Sequence, residues 1–163
     1  MSIFIWKFFQ KHLQTSNTFI AKIELWSTLD RVLGNRFGCS THVFGSTLNG
    51  FGTSDSDMDI CMFQNGDRDK RDLVQILAEA RRLLRYQCQN FSNDMELIAA
   101  KVPILKIYDR HKKIEIDLSC SNEDAVRNTN LLFCYSQVLI LRIFILNACC
   151  CQSCDLRSCV KFK

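Results

Sequence analysis

Apolar residues recur every three or four positions in several parts of the chain, which predicts helices at both ends and one in the middle. A short first helix is predicted over 3–14 and a longer one over 17–36, with Ser16 or Asn17 as its candidate N-cap. A third is predicted over 67–86, and a last helix begins near Asn128 and Thr129. Core packing is the favoured role of the stripe on the second helix, formed by Phe19, Ile23, Trp26 and Leu33. The apolar positions of the first helix are Phe4, Ile5, Phe8 and Phe9, and one face of the third consists of Leu73, Ile76, Leu77, Ala80, Leu83 and Leu84.

Between the helices, apolar and polar residues alternate with a period of two, as in strands that bury one face. A short apolar run near 41–45 leads into a polar loop, a second strand covers 57–63, and a turn follows at 64–67. The remaining predicted strands are 97–102, 104–108 and 113–119. Strands and helices together predict an α+β domain built around one mixed sheet.

Length and composition are those of one globular domain. The 163 residues can bury a real core, and 47% hydrophobic against 23% charged residues excludes a disordered chain. The net charge of +4 is compatible with an anionic partner such as nucleic acid but does not establish one. A membrane helix over 131–151 is disfavoured, because Arg142 lies near its centre, and no secretory signal is predicted at the start. We therefore expect no membrane association.

The ten cysteines fall into two groups. The first group is scattered singly, and we expect free, buried thiols in a reducing compartment: Cys39, Cys61, Cys88, Cys120 and Cys134. The second group crowds the end of the chain: Cys149, Cys150, Cys151, Cys154 and Cys159. A zinc site or palmitoylation is conceivable for the second group, but the spacing matches no standard zinc module. We favour a tail without selected function.

The candidate catalytic and ligand-binding residues lie in the stretch 43–63 and at Asp117. Asp57 and Asp59 point to the same side of that strand, where two carboxylates can hold divalent metal ions. The preceding Gly45-Ser46 turn offers close backbone approach, an amide donor and a hydroxyl for phosphate oxygens. Asp117, on another alternating strand, is the natural third carboxylate and a candidate acceptor for a proton.

Each of these features also has an ordinary explanation. An Asp-x-Asp pair on a strand is often a solvated face, and Gly-Ser is a common turn. Asp117 has Lys113 on the same strand face as an alternative ion-pair partner. Asp55 is acidic too, but it falls in the loop, where a turn or capping role suffices. The motif gains weight only from its wider sequence context.

That context resembles a known family. Phe-Gly-Ser at 44–46, followed by ten residues and then Asp-Met-Asp-Ile, is similar to the signature of the DNA polymerase β nucleotidyltransferase superfamily. The longer string over 43–61 resembles more narrowly the cytoplasmic non-canonical poly(A) polymerases, terminal nucleotidyltransferases that extend RNA 3′ ends. Later passages resemble this family in the same order: Lys-Val-Pro-Ile-Leu-Lys-Ile (101–107), Glu-Ile-Asp-Leu-Ser (115–119) and Arg-Asn-Thr-Asn-Leu-Leu-Phe-Cys-Tyr (127–135).

The resemblance implies template-independent transfer of AMP from ATP to an RNA 3′ end, catalysed by two Mg²⁺ or Mn²⁺ ions. It also implies a cytoplasmic enzyme that relies on a separate RNA-binding protein for its targets. It implies that Asp57, Asp59 and Asp117 bind the metal ions. It also implies that Gly45 and Ser46 contact the triphosphate and that Asn128 and Thr129 contact the nucleotide sugar.

The chain departs from the family pattern at Ala125, where glycine is usual, and after Gln137, where the expected continuation is replaced by an apolar, cysteine-rich stretch. We therefore expect a catalytic domain over 37–127, preceded by N-terminal helices over 1–36. Residues 128–163 would begin a helical central domain and run into an unmatched tail, leaving that domain largely missing. The alternative function is an inactive truncated fragment that at most binds a partner or RNA. Such a fragment would expose apolar faces on the N-terminal helices and on 131–146.

Overall fold

The computed structural model describes residues 2–63, 70–91 and 93–138. The helices in these ranges are α1 (Ser2–His12), α2 (Ser16–Phe37), α3 (Ser46–Asn49), α4 (Lys70–Gln87) and α5 (Glu123–Ser136). The strands are β1 (Ser40–Phe44), β2 (Met58–Phe63), β3 (Glu96–Ile98), β4 (Ile104–Asp109) and β5 (Ile114–Cys120). The cysteine-rich tail and the turn predicted at 64–67 lie outside the described residues.

The described strands form one mixed sheet in the order β1-β2-β5-β4-β3. Strand β2 pairs in parallel with β5, and the other neighbouring pairs are antiparallel. The parallel pair is possible because the long connection through α4 carries the chain from one end of the sheet to the other. The predicted α+β fold with one mixed sheet is confirmed.

The hydrophobic core lies between one face of the sheet and the helices α2 and α4. The inward side chains of β2 are fully buried, as the alternation predicts. The predicted apolar face of α4 is confirmed, since it buries Ile76, Leu77, Ala80 and Leu84 and packs Leu73 and Leu83 against the same cluster. The opposite face of the sheet carries Asp59 and Asp117 and is approached by α3 and α5.

Helix α2 matches the predicted helix over 17–36 in length but differs in its cap and its buried face. Thr15, rather than Ser16 or Asn17, is the N-cap, and its hydroxyl accepts the Thr18 amide at 3.1 Å. The buried positions are Lys22, Leu25, Leu29 and Leu33. Only Leu33 belonged to the predicted stripe, because the flanking aromatic residues obscured the leucine spacing.

The largest differences from the sequence prediction concern β3, α3 and α5. Strand β3 ends at Ile98 instead of continuing to 102. The four-residue helix α3 fills part of the loop after β1, where no helix was predicted. Helix α5 begins at Glu123, five residues before Asn128, and the acidic Glu123 and Asp124 stabilise its first turn. Asn128 and Thr129 therefore lie inside the helix and not at its N-terminus.

The cysteines of the first group are free thiols in the described structure. Cys61 and Cys120 are buried, Cys39 and Cys88 are half-buried, and Cys134 is exposed, contrary to the expectation of burial for all of them. Burial raises the pKa of the Cys120 thiol to about 12. Across the described ranges, no helix combines the length and apolar character needed to cross a bilayer.

Candidate active site

The carboxylates predicted to bind metal meet on one face of the sheet. Asp57, Asp59 and Asp117 each offer an oxygen that lies within 4.8 Å of the oxygens of the other two. All three side chains are half-buried, which leaves the cluster open to solvent on one side. Asp55, in the same loop, is exposed and lies outside this group of described carboxylates.

Strand register brings the three carboxylates together. Asp59 on β2 is the direct partner of Asp117 on β5 in the parallel pair, so their side chains leave the same face side by side. Asp57 precedes β2 by one residue and lies two positions from Asp59, which gives it the same direction. Carboxylates on rigid strands are the oxygen ligands that Mg²⁺ and Mn²⁺ prefer.

The close packing of Asp59 requires a glycine beside it. Gly45 has a φ of +70°, and a Cβ atom added there would lie 1.9 Å from Asp59 Oδ2. Any other residue at this position would be strained in its backbone and would collide with the carboxylate. Gly45 thus fixes the distance between the turn after β1 and the carboxylate cluster.

The negative charges of the neighbouring carboxylates act on Asp59. Its burial and the neighbouring carboxylates Asp57 and Asp117 raise its pKa to about 6, although the lysines Lys22 and Lys106 act in the opposite direction. The group is therefore charged at neutral pH against the repulsion of its neighbours. A divalent cation would relieve this repulsion, so the donor set fits such an ion.

Asp117 pairs with Lys106 and not with Lys113, the partner considered from the sequence. Lys106 Nζ lies 3.1 Å from each carboxylate oxygen of Asp117, and this contact raises the pKa of Lys106. The two residues are directly opposite in the antiparallel pair of β4 and β5. Lys113 is four residues away along its own strand, or roughly 13 Å at the usual rise.

The Gly45-Ser46 turn provides one free polar group and one occupied group. The Gly45 amide donates to Thr129 Oγ1 at 2.8 Å. The Ser46 hydroxyl oxygen is buried and has no hydrogen-bond partner among the described residues. A buried hydroxyl without a partner costs free energy, and a ligand oxygen would satisfy it. Of the two predicted phosphate-binding groups, the Ser46 hydroxyl is the available one.

The predicted sugar-binding pair lies on α5 next to this turn. Thr129 is buried, and its hydroxyl donates to the Ala125 carbonyl at 2.8 Å while accepting the Gly45 amide. Asn128 is exposed on the preceding position of the helix. The structure thus brings Thr129 to the site through Gly45.

Two lysines of the site were missed in the sequence. Lys22 on α2 is fully buried, and its ammonium lies 3.3 Å from the Asp57 carbonyl oxygen. Lys106 neutralises Asp117. The alternation of β4 places Lys106 on the polar face of the sheet, which was a usable signal. Lys22 gave no such signal, because lysine is usually a surface residue and the buried face of α2 is known only from the fold.

The chain matches one protein-family model over most of its length. A family model, described as the central palm domain of mitochondrial-like poly(A) RNA polymerases, matches residues 1–137. The chain belongs to this family. The palm domain so defined includes the sheet, the carboxylate cluster and α5.

Curated relatives of the palm domain include enzymes named for two different nucleotides. The chain is 37% identical over 142 residues to the Poly(A) RNA polymerase gld-2 homolog A of Drosophila melanogaster, covering 85% of this chain and 10% of that protein. It is 38% identical over 103 residues to Terminal uridylyltransferase 7 of Homo sapiens, covering 62% of this chain and 7% of that protein. The chain therefore spans about a tenth or less of these relatives.

A solved structure confirms the fold. The structure of a GLD-2/RNP-8 complex matches with a TM-score of 0.75 and 37% sequence identity, over 83% of this chain and 48% of the matched chain. The matched part of that structure therefore has the same mixed sheet with flanking helices.

Proposed function

We propose that this palm domain transfers nucleoside monophosphates, specifically AMP from ATP, to the 3′ end of RNA without a template. The observation that carries the proposal is the convergence of Asp57, Asp59 and Asp117 within 4.8 Å. It gains support from the match of residues 1–137 to a poly(A) RNA polymerase family. A family assignment alone does not assign chemistry to a chain, whereas a carboxylate cluster of this geometry fits a specific reaction class.

We assign two divalent ions, Mg²⁺ or Mn²⁺, to the carboxylate cluster. When bound, such ions neutralise triphosphate charge and activate an attacking hydroxyl. Asp57 and Asp59 are the residues assigned to hold both ions, since their carboxylates leave one end of β2 together. Asp117 is assigned to the side of the RNA 3′ hydroxyl, where its carboxylate accepts the proton.

The nucleotide is assigned to the turn after β1 and to α5. The unpartnered Ser46 hydroxyl donates to a phosphate oxygen, and Gly45, whose missing side chain leaves room for Asp59, is assigned to the same triphosphate. Asn128 and Thr129 are assigned to the sugar, with Asn128 exposed and Thr129 joined to Gly45. ATP is the proposed substrate because the family model and the Drosophila relative are poly(A) polymerases.

We assign a cytoplasmic location and a separate RNA-binding protein partner. A partner is supported by two solved structures of GLD-2, which are complexes with RNP-8 and with GLD-3. The net charge of +4 is small, and phosphate contacts by several lysines and arginines dominate the affinity of proteins for RNA. Target choice would then belong to the partner.

The proposal is tested by incubating the full 163-residue chain with labelled RNA, Mg²⁺ or Mn²⁺, and each nucleoside triphosphate separately. We expect extension with ATP in preference to UTP. Asp57→Asn and Asp117→Asn should each lower the rate by at least about 100-fold, more than the loss of a residue that only orients a ligand. Asp55→Asn is the matched control, because Asp55 is an exposed aspartate of the same loop.

Extension that survives Asp57→Asn would refute the metal assignment. Preference for UTP would keep the nucleotidyl transfer and overturn the choice of AMP, an outcome for which the uridylyltransferase relative provides the precedent. A chain that binds Mn²⁺ but extends no RNA with any nucleotide would contradict the proposed activity of this palm domain.

A further inference from the structure

The ammonium group of Lys22 is buried beneath the carboxylate cluster. The residue has no exposed surface, although lysine is among the residues that are almost never fully buried. Its Nζ lies 2.9 Å from Gln14 Oε1, 3.2 Å from Ser56 Oγ, 3.3 Å from the Asp57 carbonyl oxygen and 3.4 Å from Thr47 Oγ1. All of these acceptors are uncharged oxygens, so the buried charge is stabilised by hydrogen bonds to dipoles.

The acceptors belong to separate segments that meet at the site. Gln14 lies in the connector between α1 and α2, and Thr47 lies on α3, next to Ser46. Ser56 and Asp57 lead into β2. Lys22 therefore joins the N-terminal helices, the turn that carries the candidate phosphate-binding hydroxyl, and the backbone of a candidate metal ligand.

The connector between α1 and α2 is hydrogen-bonded to the loop between α3 and β2. The Gln14 amide donates to the Gly52 carbonyl at 3.0 Å, and the Ser54 amide donates to the His12 carbonyl at 2.9 Å. The Gln14 side chain also donates to the Thr47 carbonyl at 3.1 Å. These bonds hold the loop between α3 and β2 against the end of α1, with Lys22 at the centre of the arrangement.

A buried ammonium whose hydrogen bonds all go to uncharged oxygens is costly even with the attraction of Asp57 and Asp59, and an apolar residue of similar volume would pack there at a lower cost. We propose that Lys22 is a positioning residue: it fixes the backbone of Asp57 and helix α3 so that the Asp57 carboxylate meets Asp59 and Asp117. The inference rests on the proposed metal-binding function of the cluster. It also gives the N-terminal helices a role in the site beyond core packing.

The charge of Lys22 and its proposed positioning role predict opposite changes in cation affinity when the residue is replaced. The direction of the change therefore tests the inference. A nearby positive charge repels a divalent cation, so if Lys22 acted only through its charge, its removal would tighten cation binding. If Lys22 positions Asp57, its removal loosens one ligand and weakens binding. A residue needed only for folding would leave the affinity of the folded protein unchanged.

The experiment is a titration of the full chain with Mn²⁺, followed by electron paramagnetic resonance, which needs no nucleotide and no turnover. We expect Lys22→Met to weaken Mn²⁺ binding about 10-fold or more, in the range seen when a residue orienting a metal ligand is lost. In the metal-free protein, the amides of 53–57 should exchange with solvent faster than in the wild type. Tighter or unchanged Mn²⁺ binding overturns the inference.

Two control variants separate position from charge and from stability. Lys11→Met removes an exposed positive charge of α1 and should leave Mn²⁺ affinity unchanged. Ile76→Val weakens the core on α4, away from the site, and should lower stability without changing the affinity. If Ile76→Val weakens Mn²⁺ binding as much as Lys22→Met does, the effect is one of general stability and the inference fails.

Two further variants cover failure of folding and failure of the proposed function. Should Lys22→Met not fold, Gln14→Leu removes the closest acceptor and is expected to weaken Mn²⁺ binding in the same direction; an unchanged affinity refutes the inference. Asp57→Asn tests the metal site itself. Normal Mn²⁺ binding by Asp57→Asn would overturn the proposed function, whereas its loss together with normal binding by Lys22→Met would overturn only the positioning role.

Discussion

Asp59 shows how a single residue of this site is held in an unfavourable state. Its carboxylate is packed against Gly45, paired in register with Asp117 and two positions from Asp57. Burial and the two neighbouring charges raise its pKa to about 6. The position cannot relax by moving toward Gly45, because backbone already occupies that space. Without a cation, the ionised Asp59 therefore lowers the stability of the folded chain.

We expect Asp59→Asn to stabilise the metal-free protein at pH 8, where the native carboxylate is ionised. A shift of roughly two pKa units corresponds in full to about 3 kcal/mol, and partial solvent screening reduces the expected gain in unfolding free energy to about 1 kcal/mol. Mn²⁺ should stabilise the wild type but not the variant, since only a ligand that binds the native state raises stability. Urea unfolding with and without Mn²⁺ measures both effects.

Asp55→Asn is the control for this stability prediction. Asp55 is exposed in the same loop, and its substitution should leave both the metal-free stability and the Mn²⁺ effect within about 0.5 kcal/mol of the wild type. A loss of stability in metal-free Asp59→Asn would show that the repulsion among the carboxylates is already compensated within the chain.

At the scale of elements, one hydroxyl connects α5 to the turn that carries the candidate phosphate-binding group. Thr129 accepts the Gly45 amide and donates to Ala125 within its own helix. Both partners are backbone groups, so the contact does not depend on any other side chain. A displacement of α5 would therefore be transmitted directly to Gly45 and to the Asp59 carboxylate beside it.

Thr129→Val should lower the unfolding free energy by about 1–3 kcal/mol, because it leaves the Gly45 amide without its partner in a part-buried position. Thr129→Ser keeps the hydroxyl and should retain most of the stability. Amide exchange of Gly45 should accelerate in the valine variant only. Exchange that accelerates in the serine variant and not in the valine variant would indicate that the Thr129 methyl group, and not its hydroxyl, holds α5 in place.

At the scale of the whole molecule, two helices expose apolar side chains. On α1, Phe4 is 66% exposed and Phe8 is 55% exposed. On α5, Leu131 and Phe133 are about half exposed. The sequence predicts such faces on the N-terminal helices and on 131–146, and residues 139–146 of that stretch lie outside the described residues. Exposed apolar surface of this kind favours self-association or capture by a partner.

The neighbouring phenylalanines of α1 provide a matched test of this surface. Phe8→Gln removes exposed apolar area, so it should reduce hydrophobic-dye binding and self-association while changing the unfolding free energy by no more than about 0.5 kcal/mol. Phe9 is 4% exposed and lies near Phe51, so Phe9→Ala should cost about 3–5 kcal/mol. Light scattering after size exclusion, dye fluorescence and urea unfolding measure these outcomes. A wild-type chain that is monomeric and binds no dye contradicts the prediction.

The sequence by itself determined the α+β class, most helices and strands, and the aspartates of the cluster. These features are encoded over short distances: alternation reports a strand that buries one face, and helical spacing reports a helix that does the same. Asp57 and Asp59 share a face because of the two-residue period alone. The Phe-Gly-Ser and Asp-x-Asp motifs lie within 44–59, so one short stretch was enough to indicate the chemistry.

Only the tertiary structure decided which charged and polar groups complete the site. Lys106 pairs with Asp117 across 11 positions, Lys22 reaches the Asp57 carbonyl across 35, and Thr129 holds Gly45 across 84. Such pairs depend on which strands become neighbours and on how the helices pack against the sheet, and a local pattern gives neither. A buried lysine in particular reads as surface in a sequence, because its cost is offset only by acceptors that folding brings from distant segments.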